Sequence, residues 1–155
     1  MKAVYISEFG PPENLEIREI PEPPKPQNTQ VIVRVKSVGL NRADLLQVAG
    51  LYPPPAGYSP NIPGLEFAGE INDTGSDVTK WNVGDRVFGI VAGESQAEFL
   101  VTDESLLARI PDNLSFTDAA AVPEAFITAN DASMTLGGLT AGNTLLIHAI
   151  GSGVG

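Results

Sequence analysis

The first two thirds of the chain alternate short apolar runs with turn residues, at the spacing of β-strands. KAVYIS, NLEIREI and QVIVRVKSV are rich in β-branched and aromatic residues, and the last two flank the stiff segment PEPPKP. VIVRV alternates apolar and polar positions, the mark of a half-buried strand. LEFAGEIND, RVFGIVA, AEFLVTD and LLARI continue the pattern, with the glycine of WNVGDRV turning the chain into one of them. Strands this short and frequent predict a small barrel or sandwich.

Helical periodicity enters at NRADLLQVAG, where Asn41 can cap, Asp44 stands three residues on and Gly50 ends the run. After Pro111 the character changes. SFTDAAAV starts a helix, Pro123 restarts it, and EAFITANDASMTL carries it to Gly137–Gly138. TLLIHA then reads as a buried strand that runs directly into the glycine turn Gly151-Ser152-Gly153-Val154-Gly155. The expected organisation is a β-rich unit over residues 1–122 and the opening of an α/β unit over 123–155.

Composition narrows the function. The chain has 155 residues, 43% of them apolar, enough to bury a core. Nine basic residues against nineteen acidic ones give a formal charge of −10, a field that repels nucleic acid and anionic lipid. No apolar run is long enough to span a membrane, so the expected setting is cytoplasmic. There is no cysteine, hence no disulfide and no thiol nucleophile. Catalytic zinc takes three protein ligands, mostly histidine and cysteine, and His148 stands alone. No zinc is expected.

A glycine turn at the end of a strand lets backbone amides approach a pyrophosphate, provided a helix follows. Gly151, Ser152, Gly153 and Val154 are therefore candidate cofactor residues, with a mobile tail as the competing reading. Asn41 is either a helix cap or part of a polar cluster. Asp44 either answers the dipole of the first helical turn or joins the same cluster. Tyr52, on the proline-stiffened loop GLYPPPAG, can offer a phenol to an acceptor oxygen, against an ordinary aromatic packed on prolines. His148 reads as a core or strand-end histidine before it reads as a base.

Taken in order, GPPENLEIREIPEP, VGLNRADLLQ, GLYPPPAG, IPGLEFAGEI, WNVGDRVFGI, AAAVPEAFITA and LLIHAIGSGVG resemble the N-terminal half of a zinc-free medium-chain dehydrogenase/reductase, of the zeta-crystallin-like quinone oxidoreductase type. The resemblance implies a GroES-like barrel, mainly β with some α, followed by the opening helix, strand and phosphate turn of an incomplete Rossmann domain. It implies NADPH as cofactor, NADH not being excluded, a small-molecule quinone or enone as acceptor, and a homo-oligomer in the intact parent. Asn41 stands where zinc alcohol dehydrogenases carry a cysteine ligand, and Leu65 stands where they place a histidine before the glutamate. Asn41 matches the position beside the nicotinamide, Thr128 matches a threonine near the cofactor, and Glu66, with no metal to serve, reads as structural. Without zinc to polarise a carbonyl, the acceptor must be electrophilic by itself, as a quinone or an activated enone is. The alternatives are an enone or enoyl-thioester reductase of the same superfamily, and a non-catalytic GroES-like binding module. Because no helix follows the turn, the chain by itself is expected to be catalytically silent, with the residues after Gly138 loosely held.

Overall fold

A computed structural model describes residues 1–155. Seven strands form, all of them antiparallel to their neighbours: β1 Lys2–Ile6, β2 Leu15–Glu19, β3 Gln30–Val38, β4 Glu66–Thr74, β5 Arg86–Ile90, β6 Phe99–Asp103 and β7 Leu107–Arg109. Three α-helices accompany them, α1 Arg42–Val48, α2 Phe116–Ala120 and α3 Pro123–Asn130. The strands make a β1–β2 ribbon and a five-stranded sheet in the order β6-β3-β4-β5-β7.

Period-two alternation sorts the central strands onto two faces. Val31, Val33, Phe67, Ile71, Val87, Val91 and Leu100 gather on one side as the main core. Ala68, the neighbour of Phe67, turns to the other side and packs with Ile110, Ala119 and Ala120, so that α2 covers the second face. Helix α2 starts where Ser115 accepts the Asp118 N–H at 3.1 Å.

The mainly β architecture expected from the sequence is found, as a ribbon and an open five-stranded sheet with no closed barrel. The ribbon meets the body through one isolated bridge, Ala3 to Ala97, and through the Val4 N–H on Gln96 O and the Ile6 N–H on Asn61 O, each 2.8 Å. Prolines at 21, 23, 24 and 26 occupy the link from β2 to β3 and remove the donors that a continuous ladder would need. The strand expected over TLLIHA does not form. Residues 144–149 have no ladder partner, and every residue from 140 to 155 is exposed. LLARI is shorter than expected: Glu104–Leu106 forms a 3₁₀ turn, and only Leu107–Arg109 pairs, with β5. Helix α3 runs on as a π-helical segment, Asp131–Leu136, and stops at Gly137.

Candidate active site

The site is built where α1, the start of β4 and the start of α3 converge. Residues 62–69 are buried without interruption. They are clamped by the Val91 N–H on Leu65 O at 2.7 Å and the Gln96 N–H on Pro63 O at 3.1 Å. Gly64 makes that clamp possible: it has φ +114°, and a Cβ there would collide with Ser95 Oγ. Ser95, itself fully buried, donates to Glu66 O at 3.0 Å and so fixes the first residue of β4.

Helix α1 opens on a reciprocal cap. Asn41 lies in the extended region, and its N–H donates to Asp44 Oδ2 at 2.7 Å. Gln47, on the inner side of α1, donates to Pro60 O and Ile62 O at 3.1 and 3.3 Å, tying the helix to the clamped segment. Asp44 is 5% exposed, and its Oδ1 has no hydrogen-bond partner. Burial pushes its carboxyl above the usual range, against the pull of the Asn41 and Gly64 amides, and the negative charge of Glu66 adds to the rise.

Glu66 joins the three elements. It is 4% exposed; Oε1 accepts from Asn41 Nδ2 at 2.7 Å, and Oε2 accepts from the Glu124 N–H in the first turn of α3 at 2.9 Å. Gly39 leaves room for it, since a Cβ there would strike Glu66 Oε1.

Beside this cluster lies a cleft of about 360 Å³. Tyr52 and Glu124 are among its lining residues, with apolar walls from Leu65, Ile90, Val91 and Ala92. The prolines after Tyr52 hold the loop stiff while the ring stays 46% exposed. Asp44 is bonded to Asn41, Asn41 to Glu66, and Glu66 to the N–H of Glu124, which lines the cleft with Tyr52 and is a residue that sequence reading passed over. Its signal was a proline-then-acid start to a helix, Pro123-Glu124.

The remaining candidates are not brought to the cleft. Thr128 lies one turn beyond Glu124 on α3 and is exposed. Gly151, Ser152, Gly153 and Val154 form an exposed turn whose hydrogen bonds are internal: Ser152 N–H to Ala149 O at 2.8 Å and Gly155 N–H to Ser152 Oγ at 3.1 Å. His148 is exposed, neither in a core nor at the end of a paired strand. The structure contains no group of three or more side chains placed to hold a metal ion, and no helix long and apolar enough to cross a membrane.

Residues 27–130 match the alcohol dehydrogenase GroES-like domain family. This chain belongs to that family. Its relatives, medium-chain dehydrogenase/reductases among them, carry several kinds of name. A quinone oxidoreductase of Pseudomonas aeruginosa is 37% identical over 99% of this chain and 47% of its own length. The erythronolide synthase EryA2 of Saccharopolyspora erythraea is 45% identical over 81% of the chain and 3% of its own length. A mouse protein described as synaptic vesicle membrane protein VAT-1 homolog-like is 35% identical over the whole chain and 37% of its own length. Among solved structures, the CurK enoyl reductase superposes with TM-score 0.88 at 30% identity, over 99% of this chain and 48% of that one. A mycobacterial protein complexed with NADPH superposes with TM-score 0.84 at 29% identity, over 99% of this chain and 47% of that one. The chain therefore spans less than half the length of the relatives it matches.

Proposed function

We propose that this chain forms the acceptor-binding part of a nicotinamide-dependent oxidoreductase that reduces a quinone, with NADPH as the cofactor and NADH as the alternative. The observation that carries the reading is the cleft at Tyr52, an apolar pocket lined also by Glu124, whose backbone N–H is linked through Glu66 to Asn41. The walls of Leu65, Ile90, Val91 and Ala92 suit a flat conjugated acceptor and exclude water from it. The Tyr52 phenol donates a hydrogen bond to the acceptor oxygen on which negative charge builds, and Asn41 supplies a second donor. An acceptor already electrophilic needs no metal to polarise it, in keeping with a site made of a phenol and an amide. Residues 1–122 are the acceptor-binding unit in this reading, and residues 123–155 open a nucleotide-binding unit.

A second reading has its own support. The match to EryA2 and the fit to the CurK enoyl reductase favour an enoyl-thioester acceptor, whose carbonyl oxygen would take the same hydrogen bonds. NADPH consumption by the protein carrying this chain, measured against a 1,4-quinone and against a 2-enoyl thioester, separates the two. Quinone turnover at the higher kcat/KM is expected. Preference for the thioester establishes the second reading, and turnover of neither overturns both.

A further inference from the structure

The buried carboxylate of Glu66 does not itself line the cleft, yet it stands between two elements that do. We infer that Glu66 is a positioning residue: it fixes the orientation of the Asn41 side-chain amide and ties it to the start of α3, so that Asn41 presents a donor, not an acceptor, to the substrate oxygen. The inference rests on the acceptor-binding role proposed above.

An asparagine side chain has two faces of opposite character, an NH₂ that donates and an oxygen that accepts. At the mouth of a reductase site only the donor face stabilises an oxygen gaining negative charge. Asn41 could rotate by half a turn at little steric cost, because the two ends of the amide are nearly the same size. Glu66 holds the donor end: its Oε1 accepts from Asn41 Nδ2 at 2.7 Å, and a carboxylate offers no donor to the amide oxygen. One Nδ2 hydrogen is then used on Glu66, and the other points away from the carboxylate and can serve an acceptor.

The other oxygen of Glu66 fixes the carboxylate in turn. Oε2 takes the Glu124 N–H at 2.9 Å, in the first turn of α3, where the helix dipole favours a negative charge. Glu124 is itself a lining residue of the cleft. One buried side chain thus sets both the amide at α1 and the backbone at α3. Close packing holds it there, since only a glycine at position 39 leaves space for Oε1. Asp44 takes the Asn41 backbone N–H and, through the capping box, faces its own backbone N–H to the Asn41 side-chain oxygen, so that cap and carboxylate favour the same orientation of the amide.

Glu66→Gln tests the inference with almost no change of volume. Glutamine can present its own NH₂ to Asn41, permitting the reversed amide, and it cannot satisfy both former donors at once. In the protein carrying this chain, kcat/KM for the acceptor should fall about 10- to 100-fold, the usual span for losing a charge-assisted hydrogen bond. KM for NADPH should stay within about twofold of wild type, as expected where an interaction with the acceptor oxygen alone is lost. In an Asn41→Ala background the same substitution should cost almost nothing more, because Glu66 acts through Asn41. A full additional loss there, or wild-type kcat/KM in Glu66→Gln, overturns the inference.

Glu66→Asp provides a check should the glutamine variant fold poorly. It retains the charge but is one methylene too short to span both partners, so the same loss is expected, and wild-type activity overturns the inference. The Asn41 side-chain NH₂ resonances in ¹⁵N-labelled 155-residue chain give a readout independent of turnover. Hindered rotation and slowed exchange in the wild type, both lost in Glu66→Gln, support the positioning role. Resonances unaffected by the substitution refute it even where the protein proves to reduce neither acceptor.

Discussion

Two stretches of this chain have nearly the same strand-forming composition and opposite fates. QVIVRVKSV becomes β3, with Val31 and Val33 fully buried between β4 and β6. TLLIHAI remains irregular, with Leu145, Leu146, Ile147 and Ile150 between 45% and 77% exposed. The difference lies in neighbours. Strand β3 finds a ladder on each edge and an apolar layer on its face, while residues 144–150 find neither. Strand propensity is therefore a capacity that pairing and burial must redeem. The same contrast divides the candidate site: Asn41, Asp44 and Tyr52 sit on the packed body, and Gly151–Val154 lie on the unpaired segment.

The contrast is sharpest in the core. Phe67 is fully buried in the main cluster, and Phe67→Ala should cost about 3–5 kcal/mol in denaturant unfolding. A loss below about 1 kcal/mol would mean that the sheet face is no better packed than the segment after Gly138.

At the cleft, Tyr52→Phe in the protein carrying this chain should lower acceptor kcat about 10-fold or more, as for loss of a hydrogen bond to developing charge. KM for NADPH should hardly move. Unchanged turnover would reduce Tyr52 to an aromatic packed on its prolines.

Asp44 gives a pH-dependent test of how dry the body is. Its folded pKa is raised above the unfolded one, so the folded state holds the proton more tightly. As pH rises above the unfolded value of about 4, the unfolded state ionises first and the folded state loses ground, until the folded carboxyl ionises too. Asp44→Asn does not titrate. Its Tm, measured relative to wild type, should therefore climb as pH rises above about 4 and level off once the folded carboxyl has ionised. A difference that is flat or falls with pH would show that water reaches Oδ1.

The smallest effect belongs to the unpaired segment. Leu146→Ala should leave unfolding of the chain within about 0.5 kcal/mol of wild type, as for an exposed side chain without contacts. A larger loss would show that residues 144–150 are covered in solution.

Most of the strands were legible from short apolar runs punctuated by turn residues, and Ser115 and Asn41 stand where their helices start. Openness of the sheets was not legible, because closure depends on whether a ribbon held by one bridge continues the ladder. Within the site, Tyr52, Asn41 and Asp44 could be picked out by residue type and by their places on a loop and a helix start. Glu66 was read as structural with its partners unknown, and Glu124 was not singled out. A glutamate at the start of a strand looks the same in sequence whether it faces water or bridges two helices.

The sequence by itself determined the local order of strands and helices, the absence of thiol chemistry and the family, since these follow from residue type, period and motif order. Only the tertiary structure decided which apolar runs pair, that a carboxylate at position 66 reaches both Asn41 and the first turn of α3, and that Asp44 is dry. Those outcomes depend on contacts between residues 25 and 58 positions apart, and no local pattern encodes a distance through space.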